Sequence, residues 1–283
     1  MNTQKRRSVR RLERRVQMLD IFSYSFMQYA LIVGVLVSLC AALLGVLLVL
    51  RRYSMIGDGL SHVGFGALSV AYALSLAPMA LAVPVVILSA FVLLGMSESK
   101  KIKGDSAIAV LSSAALAIGV VANSVAGGSA TDLNGYLFGS ILTLEKSDVI
   151  LSVILSLIVI CLFVLFKNRI FAVTFDMPFA KSAGVHVKFY NMLLALLIAI
   201  TVVVGMQIVG TMLISSLIIF PALSAMQITD SFKGVVICSA IISVCTFLAG
   251  LLVSLTLPAG AMIVLCNLAV LIVCTVVGKV IKR

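Results

Sequence analysis

The chain has no tryptophan, and charged residues make up only 11% of its 283 positions. A soluble domain carries about a quarter. Acidic residues are the scarcer sign, with 10 Asp and Glu against 21 Lys and Arg. Residues 21–50, 59–97, 106–131, 149–166, 189–229 and 234–278 contain no Lys, Arg, Asp or Glu at all. Such runs exclude a soluble domain. They are also too long, and lack the alternation, for a transmembrane barrel. One bilayer crossing takes about 20 apolar residues. The runs hold one, two, one, one, two and two crossings, so the fold class is an all-α polytopic membrane protein of about eight or nine spans. The spans are expected at 27–50, 57–77, 78–96, 106–125 and 149–166, as a pair within 189–229, then at 235–254 and 261–278.

Other absences narrow the function. A phosphate-binding loop needs G-x-x-x-x-G-K-[ST]. The chain's one Gly-Lys pair, Gly278–Lys279, is followed by Val280. The chain therefore reads as no enzyme, with no catalytic residue and no permanently bound cofactor, and any ATP-driven work needs a partner ATPase. The 6 cysteines lie inside apolar runs without metal-site spacing and read as small buried side chains. No disulfide framework is implied.

The net charge of +11 is not a nucleic-acid signal. Beyond residue 17, every Lys and Arg except Lys146 falls in the segments 51–52, 97–105, 167–188, 227–233 and 279–283. These are placed on the cytoplasmic side by the positive-inside rule, as is the C-terminus. Lys146 shares its outer loop with Asp132, Glu145 and Asp148. An odd span count would then put the N-terminus outside. Residues 1–17, with Lys5, Arg6, Arg7, Arg10, Arg11, Arg14 and Arg15, resist translocation. They could lie along the interface as a basic amphipathic helix, or the first span could be miscounted. The expectation adopted is a start at Met18, so that 1–17 is a basic extension and 18–283 a single transmembrane domain. No cleaved signal peptide fits.

Two local features stand out. The stretch GMQIVG (205–210) is the expected break between the paired crossings of 189–229. Broken helices at membrane depth tend to line a pathway. Pro221 is expected to end the second of the pair, leaving a short amphipathic segment at the cytoplasmic face. In the outer loop, Tyr136 to Leu144 is read as a segment that dips back into the bilayer.

The stretch IGDGLSH places Asp58 and His62 at the mouth of an uncharged run. On a helix, residues four apart share a face. A carboxylate at membrane depth costs several kcal/mol unless it is paired, solvated or metal-bound. Four readings compete. Asp58 could cap the span, with His62 satisfied by a backbone carbonyl. The pair could relay protons. An intramembrane aspartyl protease would need a second catalytic Asp at that depth, and none exists. The fourth is a transition-metal site, since carboxylate plus imidazole suits Zn, Mn or Fe(II). One helix supplies two ligands, a tetrahedral site takes four, and a two-fold dimer would supply the rest. His186, in a cytoplasmic loop, is read as solvated or partner-facing. The small residues Gly57, Gly59, Ser61, Gly64, Gly66 and Ala67 read as a close-packing face.

The stretch LRRYSMIGDGLSHVGFGALSVAYAL (50–74) resembles the signature of permease subunits of zinc, manganese and iron ABC importers. YLFGSIL (136–142), VGTMLISSLIIFPALSA (209–225) and LPAGAMIVL (257–265) agree, in order, and residues 1–17 match nothing in the family. The zinc-uptake branch looks nearest. The resemblance implies a vitamin-B12-importer-like permease fold in the cell membrane. It implies a pairing with a second permease copy or a sister permease, and cytoplasmic ATPase subunits. It also implies an extracytoplasmic metal-binding protein over the outer loops near Asp132 and residues 257–260. Asp58 and His62 would contact the transported metal. Residues 222–233 would be the coupling segment, and FDMPFAKSAGVHV (175–187) a second ATPase contact.

Overall fold

The computed structural model describes residues 25–97, 104–127, 139, 146–211, 214–254 and 258–281. Residues 1–17, Asp132 and all of YLFGSIL except Gly139 lie outside the described residues. Ten helices are described, in the order α1 (Ser25–Leu50), α2 (Ile56–Ala73), α3 (Pro78–Ser97), α4 (Gly104–Val125), α5 (Lys146–Phe175), α6 (Met177–Ser182), α7 (Val187–Val209), α8 (Ile214–Ile228), α9 (Phe232–Val253) and α10 (Ala259–Ile281). Among these, 7 are long and apolar enough to cross a membrane. The other two expected crossings are α2, of 18 residues, and α8, of 15. Each expected span thus finds its helix.

Three boundaries differ from expectation for physical reasons. The hydrophobic run of α5 ends at Phe166, yet the helix continues through Lys167 and Arg169 to Phe175, 30 residues in all. At 1.5 Å per residue that is about 45 Å, longer than the hydrocarbon layer. Charge ends a membrane run but does not end a helix. The stop comes at Asp176, whose side chain caps α6 by accepting from the Phe179 N–H at 2.9 Å, with Pro178 in the first turn. Secondly, Pro221 sits inside α8 without breaking it. Ala222, Ser224 and Ala225 are buried, so the first part of 222–233 is packed helix rather than a free amphipathic segment. Only the end of α8 and the turn to α9 reach the surface, and Ser231 caps α9 by accepting from the Gly234 N–H. Thirdly, the break between α7 and α8 falls at Gly210, which has φ 92°, a value that suits glycine. Gly205 stays inside α7.

Most of α1 and α7 is buried, whereas α4 and α10 keep most of their surface outward. Around α1 the packing is close and partly polar. Ser243 Oγ donates to the Ser38 carbonyl at 2.9 Å, and Cys40 Sγ to the Ser156 carbonyl at 3.5 Å. These bonds fix α9 and α5 against α1 without charge. On α9 and α10, Thr246 Oγ1 donates to Asn267 Oδ1 at 2.9 Å.

The small-residue face of α2 does what small residues do in lipid. A Cβ on Gly59 would stand 2.7 Å from Ile108 Cγ2, and one on Gly66 2.6 Å from the Ala115 carbonyl oxygen. No side chain fits there, so α2 and α4 approach backbone to backbone.

Candidate metal site

α2 starts from a tightly bonded turn. Arg52 N–H donates to Val49 O, Tyr53 N–H to Leu48 O, Ile56 N–H to Tyr53 O and Gly59 N–H to Met55 O. Met55 holds the N-cap position, without a side-chain cap bond, and Asp58 lies inside the first turn. The capping reading of Asp58 therefore loses its geometry. The helix N-terminus still favours the carboxylate there.

His62 Nε2 stands 3.6 Å from Asp58 Oδ2, so the pair shares one face as the spacing predicts. Asp58 is 30% exposed and His62 14%. The Ser61 hydroxyl donates to the Asp58 backbone carbonyl at 2.7 Å and leaves the carboxylate alone. His62 Nδ1 is buried and has no hydrogen-bond partner. A buried imidazole nitrogen in that state is costly and is stabilised by any donor or cation that reaches it.

Gly57 packs against the Ile218 side chain, and Gly45 of α1 against the Ile218 backbone. Ile218 of α8 therefore packs against both α1 and the first turn of α2. A part-exposed carboxylate in a membrane protein costs several kcal/mol where it meets lipid, unless a protein, a water-filled path or a cation covers it.

Among the described residues, no group of three or more His, Cys, Asp or Glu side chains could hold a metal ion. One chain brings Asp58 and His62 together, and its described residues add no third donor of these types. His186 sits at the N-cap of α7, in the turn after α6, away from the pair. Cys40 and Cys274 are buried, and no cysteine is disulfide-bonded among the described residues.

Two features were not readable from the sequence. The Thr211 hydroxyl, in the α7–α8 break, is buried without a hydrogen-bond partner. Its only sequence signal is its place after Gly210. Arg51, read above as topology charge alone, donates from Nε to Thr174 Oγ1 at 3.0 Å and from Nη1 to Asn191 Oδ1 at 2.8 Å.

A model of the ABC 3 transport family matches residues 23–278. The chain belongs to that family. It is 31% identical to the "Manganese transport system membrane protein MntC" of Listeria monocytogenes over 247 residues, which is 87% of this chain and 88% of that protein. It is 31% identical over 268 residues to the "Probable iron transport system membrane protein" of Haemophilus influenzae, covering 93% of this chain and 97% of that protein. Among solved structures, it superposes on a chain of "PsaBC from Streptococcus pneumoniae in complex with Fab" with a TM-score of 0.82. The identity there is 30%, over 92% of this chain and 94% of that one. As a member of the ABC 3 family, the chain is a multi-pass membrane permease, and the resemblance carried by residues 50–74 holds.

Proposed function

We propose that this chain is the membrane-spanning subunit of an ATP-driven importer of a divalent transition metal. The observation that carries the reading is the Asp58–His62 pair, 3.6 Å apart on one part-exposed helix face. Two permease chains facing each other there supply two carboxylates and two imidazoles, a complete ligand set for one ion. The carboxylates offset the dication's charge. The imidazoles disfavour Ca and Mg, which prefer all-oxygen shells. Asp plus His accepts Mn, Fe(II) and Zn alike. The relatives' names favour manganese or iron over the zinc expected above. Family membership favours ATP drive over the proton-coupled alternative.

The chain carries no phosphate-binding loop, so the ATPase is a separate chain. Its docking site is assigned first to α6 and the residues before it. Phe175, Met177 and Phe179 are 62%, 46% and 64% exposed, in the same basic stretch as Lys181 and Lys188. The turn from Ile228 to Lys233 is the second contact. The ion arrives from an extracytoplasmic binding protein. The two permease halves rock as ATP closes the ATPase, and release follows when the inward state breaks the four-ligand geometry.

The test is uptake into vesicles holding the permease pair with its ATPase and loaded binding protein. Manganese uptake that needs ATP, and that zinc competes for, is the expected result. Uptake driven by a pH gradient without ATP would overturn the reading.

A further inference from the structure

The turn that carries α2 is anchored from outside itself. Arg51 N–H donates to Leu47 O at 3.0 Å and so extends α1 by one bond. The four bonds of the turn described above then lead without a gap to Gly59. Arg52, next in line, has φ 59°. A turn so fully bonded moves as one piece with the start of α2, and Asp58 is in that start.

The Arg51 guanidinium leaves this piece and takes hold of two others. Thr174 is in the last turn of α5, two residues before the Asp176 cap of α6. Its hydroxyl donates to the Ile170 carbonyl at 2.7 Å, so its lone pairs are free to accept from Arg51. Asn191 is in the first part of α7, and it is 3% exposed. The two acceptors therefore bracket α6 in the chain. α6 itself is bonded on both sides: Asp176 N–H donates to Ala172 O, and Val185 N–H to Ala180 O. Arg169 Nη1 also donates to the Tyr190 hydroxyl at 3.0 Å, tying α5 to α7. The end of α5, α6 and the start of α7 form one hydrogen-bonded block.

Between that block and α2 lies a crevice lined by Leu48, Tyr53, Ile56, Ile108, Leu194 and Ile198, with Arg51 and Asn191 as polar groups. Apolar contacts slide easily. A planar fork bonded to two fixed acceptors does not.

We propose that Arg51 is the positioning residue that transmits movement of α6 to Asp58. This rests on the reading of α6 as an ATPase contact. A push on α6 displaces Thr174 and Asn191 together. Arg51 follows through both bonds, and its turn carries the first turn of α2 with it. Asp58 and His62 of one chain shift relative to the second chain's pair, which is the movement that release needs.

The experiment measures ATP hydrolysed per metal ion imported in the reconstituted importer, for wild type, Thr174→Val and Arg51→Lys. Valine keeps the shape of Thr174 and removes the acceptor, together with the hydroxyl's bond to the Ile170 carbonyl within α5. Lysine keeps the charge and loses the fork. The ratio is expected to rise about tenfold in each variant, the factor of one charge-assisted hydrogen bond, with hydrolysis within about twofold of wild type. Equilibrium metal binding without nucleotide is expected to stay as in wild type. An unchanged ratio in both variants would overturn the inference. So would a joint fall of uptake, hydrolysis and folded yield, which is what a purely structural role gives. Asp58→Ala is run beside them. If it loses uptake while the two variants stay coupled, the inference fails and the import reading stands. If wild type itself moves no metal, both fall.

Discussion

Asp58→Ala is expected to reduce ATP-dependent metal uptake by about a hundredfold or more, since in the proposed two-chain site it removes two ligands at once. Loss of even an indirect partner of a metal ligand costs 10–100-fold. The protein should still insert and assemble with its ATPase. Asp58 is 30% exposed, its carboxylate caps no helix, and the packing of α2 runs through Gly59 and Gly66 instead. Uptake per folded complex, with ATPase co-purification as the control, measures it. Normal uptake by a stably inserted variant removes Asp58 from the ligand set.

His62→Gln is expected to change selectivity more than rate. It exchanges an imidazole nitrogen for a neutral amide oxygen while keeping a donor four residues from Asp58. Zinc binds imidazole well, and manganese accepts oxygen donors readily. Competition by zinc against manganese uptake should weaken by about tenfold or more, while measurable manganese uptake remains. A variant in which zinc competes as well as in wild type would show that His62 does not touch the ion.

The parts of the molecule that hydropathy governs were readable in advance. Each charge-free run became a helix or a pair of helices, because lipid leaves the backbone no other way to satisfy its hydrogen bonds. The Asp58–His62 face was readable too, because a four-residue spacing is a local property of one helix. What escaped depended on other forces. α5 overshot its apolar run because Lys167 and Arg169 are good helix formers and extend it outside the bilayer. Pro221 failed to end α8 because neighbouring helices enclose it, and Ala222 and Ala225 just beyond it are fully buried. The Arg51 fork joins residues 123 and 140 positions apart, and no local pattern announces such a meeting. The same holds for the Thr211 hydroxyl, whose burial is set by the packing around the Gly210 break.

The proposed shared site would explain why two donors per chain suffice. A dication needs more ligands than Asp58 and His62 of one chain provide. The described residues of that chain supply no further cluster. A site completed only across the axis also gives the mechanism its lever. Rotation of one half against the other breaks the ligand set at once, whereas a site built in one chain would travel intact. α6, Arg51 at the α1–α2 turn and Asp58 in the first turn of α2 lie in series along the hydrogen-bonded path proposed above.

In the proposed site, one ion is held between two chains by Asp58 and His62 of each. Metal bound per pair of permease chains, measured by equilibrium dialysis of the nucleotide-free permease, tests it most directly. One ion per pair, lost in Asp58→Ala, is the predicted result. One ion per chain, or binding indifferent to Asp58→Ala, would contradict it.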